Sequence, residues 1–427
     1  MAAGSASPQG RSNRAGLVAW CFYDWANSAF AAVIVTFVFA TYFSKGVAAT
    51  EEAGTTQWGY AMSLSALVLA LMAPFMGAIA DNSGRRKPWI WVFTLVCAAG
   101  TAALWFARPD PSSALLALVA VGIANLAFEG GVVFYNAMLA DLAPRDSMGR
   151  WSGWGWGFGY VGGVACLLLA LFGFVQTDTP LFGLDKAAAE HVRATGPLVA
   201  VWLLVFALPM LLVTPDRPAT GMPAGAAVRK GMTDLVATLK KVREYRDIAW
   251  FLLARMIYID GLNTLFAFGG IYAAGTFKME LAEVIQFGIA MNVTAGAGAI
   301  ALAWVDDWIG PKRTILISLL GLVGLGTVLL IIESPTHFWI FGLILGAFVG
   351  PTQAASRSYM AHIAPAELRT EMFGLYAFSG KATAFLGPFL VGTLTLVSGS
   401  QRIGMSPIIV LMAVGMVLML RVPDVRR

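Results

Sequence analysis

Asp24-Trp25-Ala26-Asn27-Ser28-Ala29-Phe30 and Asp260-Gly261-Leu262-Asn263-Thr264-Leu265-Phe266 share one pattern, D-x-x-N-[ST]-x-F, in distant parts of the chain. Both lie inside long apolar runs. A carboxylate at the centre of a bilayer costs roughly 3 kcal/mol or more. Its recurrence at one point of two similar runs indicates a duplicated membrane chain with polar machinery inside it. The Asn and the Ser or Thr follow each Asp at i+3 and i+4, so each trio shares one helix face. Lipid would not tolerate such a face, and both trios are expected to look into a helix bundle.

Composition agrees. The chain has 427 residues, 58% hydrophobic and 12% charged, with a mean hydropathy of +0.73. Soluble domains carry about 25% charged residues. This much apolar surface cannot be hidden from water, so lipid must be the solvent. The net charge of +5 is spread over short loops rather than gathered on one face, which excludes a nucleic-acid partner. Cys21, Cys97 and Cys166 sit in apolar runs and make neither a disulfide framework nor a zinc pattern; they read as small buried hydrophobes. His191, His337 and His362 lie in or near loops and form no metal constellation. Neither a metal nor a cofactor is expected. The N-terminal tail, up to Ala15, is small, polar and basic, and no cleavage site follows a short apolar core. The first apolar run therefore reads as a retained helix rather than a signal peptide.

A helix needs about 20 apolar residues to cross a bilayer. Twelve such runs occur, near 16–43, 58–80, 88–107, 113–140, 152–175, 197–214, 248–276, 282–305, 313–332, 337–362, 371–398 and 403–421. They do not alternate with period two, so helices are preferred to a barrel. With the N-terminus inside, 20 basic residues fall on the inner side, six on the outer, and Arg255, Arg357 and Lys381 within spans. The excess of Lys and Arg places both termini in the cytoplasm. The expected organisation is a tail (1–15), a six-helix half (16–214), an inner linker (215–247), a second six-helix half (248–421) and a tail (422–427). Pro215, Pro218, Gly221, Pro223 and Gly225 open the linker as a flexible segment. Leu235, Val236, Leu239 and Val242 then share a helical face, with Lys240, Lys241, Arg243 and Arg246 elsewhere. That pattern fits a helix lying on the anionic inner leaflet, serving more as a tether than as a regulator.

Other landmarks recur between the halves. Asp81-x-x-Gly84-Arg85-Arg86-Lys87 matches Asp307-x-x-Gly310-Pro311-Lys312-Arg313. Ala143-Pro144 and Gly153 match Ala364-Pro365 and Gly374. The separation between copies shrinks smoothly along the chain, as loop deletions would make it. The first spans of both halves start on the same side, so the repeats are parallel, as in major facilitator transporters. The stretch Gly77-Ala78-Ile79-Ala80-Asp81-Asn82-Ser83-Gly84-Arg85-Arg86-Lys87 resembles that superfamily's loop signature, G-x-x-x-D-x-x-G-R-[KR]-[KR]. Gly84 permits a tight turn. Asp81 can pair with a basic group or a helix N-terminus at the seam between halves. The second copy has Ala303 for the glycine and Pro311 for the first arginine, and is expected to latch weakly or not at all.

Three blocks carry a closer resemblance. Tyr23 to Phe30 is the first. Phe134-Tyr135-Asn136-Ala137, Gly149-Arg150-Trp151-Ser152-Gly153 and Gly159-Tyr160-Val161-Gly162-Gly163 form the second. Gln353-Ala354-Ala355-Ser356-Arg357-Ser358, Phe373-Gly374-Leu375-Tyr376 and Gly380 to Pro388 form the third. Together they resemble the vacuole-effluxer-like branch of the major facilitators, named after a fungal autophagy-related vacuolar amino-acid exporter. The resemblance implies a twelve-helix transporter, and a bacterial cytoplasmic membrane suits the branch's bacterial members. It bears only weakly on amino acids as substrate.

The polar groups inside the spans are the site candidates. Asp24, Asn27, Ser28, Asp260, Asn263 and Thr264 could bind substrate, carry a proton or brace helices. Glu129 follows Asn125 at i+4 and has no acidic twin, since Gly350 stands at the matching position. A lone carboxyl there suits a proton carrier. Lys381 has Tyr160 at its twin position, and Arg357 follows Gln353 by one turn. Arg255 is close enough to the start of its span to snorkel to the surface. Lys381 and Arg357 are the favoured partners of the carboxylates or of an anionic substrate group. Acids in spans 1, 4 and 7 face bases in spans 10 and 11, a division that a zwitterion could bridge.

Two patterns mislead. Gly157-x-Gly159-x-x-Gly162 fits a dinucleotide motif, but no strand precedes it. Gly155, Gly159 and Gly163 instead form a close helix-packing face. Trp151, Trp154 and Trp156 read as interface anchors rather than a cavity wall. No nucleotide-binding loop of the G-x-x-x-x-G-K-[ST] type occurs, and no nucleophile–base pair stands out, so neither ATP-driven pumping nor an enzyme is expected. The reading is a secondary transporter, expected as a monomer in lipid, that moves a small molecule by alternating access. Export or exchange of an amino acid or similar zwitterion leads, driven by H⁺ or by the substrate's own gradient. The alternatives are another solute (sugar, drug or lipid) or a membrane sensor or assembly partner that transports nothing.

Overall fold

The computed structural model describes residues 14–240, 244–279 and 281–424. Among them, eleven helical stretches are long and apolar enough to cross a membrane. They are span 1 (Arg14–Val47), span 2 (Gln57–Ser83), span 3 (Lys87–Phe106), span 4 (Pro111–Leu142), span 5 (Arg145–Val175), span 6 (Glu190–Val213), span 7 (Arg246–Phe277), span 8 (Gln286–Ile309), span 9 (Pro311–Ile331), span 10 (Pro335–Ile363) and span 12 (Gln401–Leu420). Span 11 is made of two shorter helices, Arg369–Ser379 and Leu386–Ser398. The expected continuous run 371–398 is thus broken at 380–385. Spans 1, 3, 5, 7, 9 and 11 begin at one end of the bundle, here called the basic end.

Local chemistry sets the ends. The Thr50 side chain accepts from Ala53 N and caps the helix that continues as span 2. Pro311 and Pro335 open spans 9 and 10, where a missing N–H costs nothing. Spans 2 and 8 stop at Gly84 (φ 86°) and Gly310 (φ 93°), angles that favour glycine.

Span 5 is held by its glycines. A Cβ at Gly159 would lie 2.7 Å from Ser28 Oγ of span 1. On the other flank, a Cβ at Gly153 would lie 2.5 Å from Ala303 Cβ, and one at Gly157 2.3 Å from Ile300, both of span 8. Span 5 therefore touches its own half through one row of glycines and the second half through another, which removes the bulk that would hold backbones apart. The three cysteines are buried.

The linker departs from expectation at its start. Asp216 accepts from the backbone N–H groups of Arg86 and Lys87 (both 3.0 Å), capping span 3. Thr220 Oγ1 donates to Asn82 O at 2.7 Å. These contacts pin the segment to the span 2–span 3 turn instead of leaving it flexible. A helix, Ala224–Lys240, follows. It docks on span 2 through buried Ala227 and through Gly231, whose Cβ would meet the Ala78–Ile79 backbone at 2.8 Å. Lys241, Val242 and Arg243 of the expected amphipathic helix lie outside the described residues, as do the side chains of Leu235, Val236, Leu239 and Lys240.

Candidate functional site

A cavity of about 610 Å³ lies between the halves. It runs from the Asp24 and Arg357 region towards Phe37, Phe287 and Phe338 at the opposite end from the basic one. Asp24, Asn27, Ser28, Glu129, Asn263, Gln353, Arg357 and Lys381 all line it. Asp260 and Asn125 do not. Asn125 Nδ2 donates to Ser65 Oγ at 2.7 Å and ties span 4 to span 2. Asp260 accepts from Gly387 N at 3.2 Å, at the start of the second helix of span 11. Both candidates are therefore corrected from cavity groups to helix braces. Thr264 packs on the same Gly387, while Asn263 alone of that trio is exposed to the cavity.

Arg357 is 2% exposed and takes every hydrogen-bond partner from the other half. Its Nη1 donates to Asp24 Oδ2 (3.0 Å) and Asn136 Oδ1 (3.2 Å). Its Nε donates to Ser152 Oγ (3.0 Å) and its Nη2 to Ser152 O (2.6 Å). Tyr135 donates to the same Asp24 oxygen at 2.8 Å. The guanidinium also sits over the rings of Trp20, Tyr135 and Trp156, at 4.8, 5.7 and 5.7 Å. Hydrogen bonds on Nε, Nη1 and Nη2 are what make a fully buried arginine tolerable. Trp156 thus belongs to the cavity wall and not to a membrane interface, because its place on span 5 puts it beside the buried cation.

A second pair crosses between the halves. Lys381 Nζ lies 2.7 Å from Glu129 Oε1, with 28% and 22% of the side chains exposed. Lys381 stands in the break of span 11, where the chain leaves the helix between Ser379 and Leu386. Glu129 is therefore not a lone carboxyl. Gln353 Nε2 donates to Tyr160 Oη at 3.2 Å, a third contact across the same boundary.

Arg255 does not snorkel. It is 8% exposed, lines the cavity, and donates through Nη1 to Tyr376 O (2.7 Å) and Ser379 Oγ (2.8 Å). Its guanidinium lies 3.4 Å above the Tyr376 ring centroid. The charge moves inwards because span 7 packs this face against span 11, with Gly380 leaving room for it.

The basic end is closed by two related seams. Asp81 accepts from Thr370 Oγ1 (2.6 Å) and Glu371 N (2.9 Å) at the start of span 11, and lies 3.5 Å from Arg86 Nη2. Gly77 allows this approach, since a Cβ there would meet Thr370 O at 2.4 Å. Asp141 adds ion pairs to Arg86, Arg369 and the linker's Arg217. At the pseudo-equivalent place, Asp307 accepts from Arg150 N (3.0 Å) and lies 3.1 Å from Arg150 Nε, at the start of span 5. The second copy was expected to latch weakly or not at all; it makes the same clasp, because the essential acceptor survives and Gly149 and Gly153 supply the space. Arg85 is exposed, Lys87 Nζ donates to Thr214 O at 2.7 Å, and Gly310 provides only the turn.

Some groups were missed from the sequence. Asn136 stands at the repeat position of Arg357, under the same offset that relates Pro144 to Pro365, and that offset was a usable signal. Ser152 and Tyr135 stand in the blocks that carry the family resemblance, but no repeat offset singles them out. Asp141, Asp216 and Arg217 looked like ordinary loop charges.

The family described as "Vacuole effluxer Atg22 like" matches residues 45–427. An uncharacterised transporter of the major facilitator type from Bacillus subtilis is 28% identical over 95% of this chain and 94% of its own length. An autophagy-related protein 22 of Coccidioides immitis is 24% identical over 79% of this chain and 67% of its own. A gentisate transporter of Corynebacterium glutamicum is 28% identical over 76% and 70%. Among solved structures, the Escherichia coli fucose:proton symporter superposes with a TM-score of 0.74 at 16% identity, covering 97% of this chain and all of that one. A proton:xylose symporter gives 0.75 at 12%, covering 97% and 96%. At such identities the structural likeness carries the fold alone.

Proposed function

We propose that this chain, which belongs to the Atg22-like vacuole effluxer family and is a transporter of the major facilitator type, moves a small zwitterion such as an amino acid by alternating access, as an exporter or exchanger. The observation that carries this reading is the pair of ion bridges, Asp24–Arg357 and Glu129–Lys381, that cross from one half to the other in the wall of one cavity. Acids stand on the first half and bases on the second. Rocking the halves apart would break both bridges and leave four charges in a cavity of small-molecule size. A substrate with both charges would replace them, so occupancy and rocking are coupled through the same atoms.

The cavity reaches the end away from the seams, which supports a state closed on the basic side. The basic excess there supports a cytoplasmic location for both termini, in a bacterial cytoplasmic membrane. The Asp81 and Asp307 clasps would then act as the inner gate. The driving gradient is that of H⁺ or of the substrate itself, with Asp24 and Glu129 as the proton-carrying candidates.

The test is counterflow of radiolabelled amino acids in proteoliposomes. Asp24→Asn, Glu129→Gln and Lys381→Ala are each expected to abolish flux while the protein stays folded and monodisperse. Undiminished counterflow in all three would sink the assignment.

A further inference from the structure

Five ionisable side chains of the Asp, Glu, Lys and Arg types line the cavity: Asp24, Glu129, Arg255, Arg357 and Lys381. Two of the bases are matched to the two acids. Arg255 is the base left over. It is more than nine-tenths buried, yet no carboxylate among the described residues lies within ion-pair distance of it. A buried cation without a counter-charge is costly, and the cost falls when a ligand brings the missing anion.

The hydrogen bonds say which nitrogen is available. Both protein acceptors, Tyr376 O and Ser379 Oγ, are reached through Nη1. Nε has no partner but is itself buried away from the cavity, whereas Nη2 donates to no protein acceptor among the described residues and is not buried in that way. Nη2 is therefore the nitrogen that can give a carboxylate a charge-assisted N–H···O bond, roughly twice as strong as a neutral one. The Tyr376 ring under the group fixes its plane at 3.4 Å. The polar Asn27, Asn263 and Gln353 lie in the same cavity wall and can hydrogen-bond the rest of a small solute.

We propose that Arg255 is the carboxylate receptor of the central cavity, so that the transported solute is a small carboxylate, zwitterionic or simply anionic. This deepens the transport reading and rests on it. A sugar, an amine or an uncharged drug leaves Arg255 without its counter-charge. An amino acid satisfies Arg255 with its carboxylate and needs a second acceptor for its ammonium, which Glu129 can offer once Lys381 withdraws. An aromatic acid such as gentisate needs only the first.

The experiment is a thermal-shift titration of the purified full-length protein. The probes are L-leucine, L-phenylalanine, 3-phenylpropanoate and gentisate, each beside its primary amide, with sodium chloride and sodium nitrate as simple anions. At least one acid is expected to stabilise the protein, and to bind about 10- to 100-fold more tightly than its amide, the worth of one charge-assisted hydrogen bond. Arg255→Gln should erase that preference. Arg255→Lys, which keeps the charge but loses the planar guanidinium, should retain part of it and covers the case in which the glutamine variant does not fold. A merely structural arginine would lower the melting temperature of both variants without changing acid over amide. The proposal is overturned if no acid stabilises, if amides or chloride match the acids, or if both folded variants keep the full preference. Acid-selective binding without counterflow of the same acid would leave the receptor standing and overturn the transport reading instead.

Discussion

Asp24 and Asp260 occupy the same place in two copies of one motif, and the structure uses them for different ends. Asp24 crosses to the other half, where Arg357 meets the oxygen that Tyr135 also holds. Asp260 stays within its own half and receives the N–H of Gly387, at the restart of a broken helix. The difference lies in what each faces. Span 1 packs on the glycine face of span 5, which leaves Asp24 an opening to the pseudo-symmetry axis. Span 7 packs on span 11, whose break presents a helix N-terminus that wants an acceptor. Duplication supplied two carboxylates; asymmetry of the neighbouring spans made one a bridge and the other a brace.

The sharpest way to break this comparison is to neutralise each acid by its isostere. Asp24→Asn leaves Arg357 buried without its counter-charge, and counterflow should fall roughly 100-fold or more. Asp260→Asn keeps an oxygen for Gly387 N–H, and counterflow should stay within about threefold of wild type. Equal losses would show that both copies serve transport.

The two seams offer a second contrast. Asp81→Asn weakens a clasp backed by Arg86, Arg217 and Asp141, and should raise the population open at the basic end by roughly tenfold. Asp307→Asn, in a clasp with a single arginine, Arg150, beside the Gly149 backbone N–H, should shift it less. Spin-label distances between residues on either side of the basic end would read both.

A third test acts on packing alone. Gly387→Ala drives a Cβ against Thr264 Oγ1 and should cost about 1–3 kcal/mol of stability, read as a lower melting temperature in detergent. If Asp260 and Thr264 are only a brace, the surviving folded protein should keep its substrate KM. The smallest effect belongs to Asn263→Ala. That side chain is exposed in the cavity wall, and its loss should raise KM by roughly threefold or less.

Much of the fold was legible because its causes are local or repetitive. Apolar run length sets the spans, and the recurrence of D-x-x-N-[ST]-x-F and of Asp81 with Asp307 reveals the duplication. The division of acids and bases between spans also follows from reading the runs. Arg255 and Asp260 could not be placed the same way. Rotation about a helix axis decides whether such a group meets lipid, a neighbouring helix or a cavity, and a single sequence leaves that rotation open. The break at 380–385 was equally hidden, since Gly380 and Pro388 are compatible with an unbroken membrane helix when neighbours satisfy the backbone.

Sequence by itself determined a duplicated, lipid-solvated bundle of twelve spans with charges inside it, because transfer free energy is a sum over residues and is indifferent to their partners. Tertiary structure alone decided which charges meet. Arg357 finds Asp24, Asn136 and Ser152 across 333, 221 and 205 residues of chain. Lys381 finds Glu129, and Arg255 is left with carbonyl and hydroxyl partners only. Electrostatic pairing depends on distances of a few ångströms between spans remote in sequence, and those distances exist only once the two halves are packed.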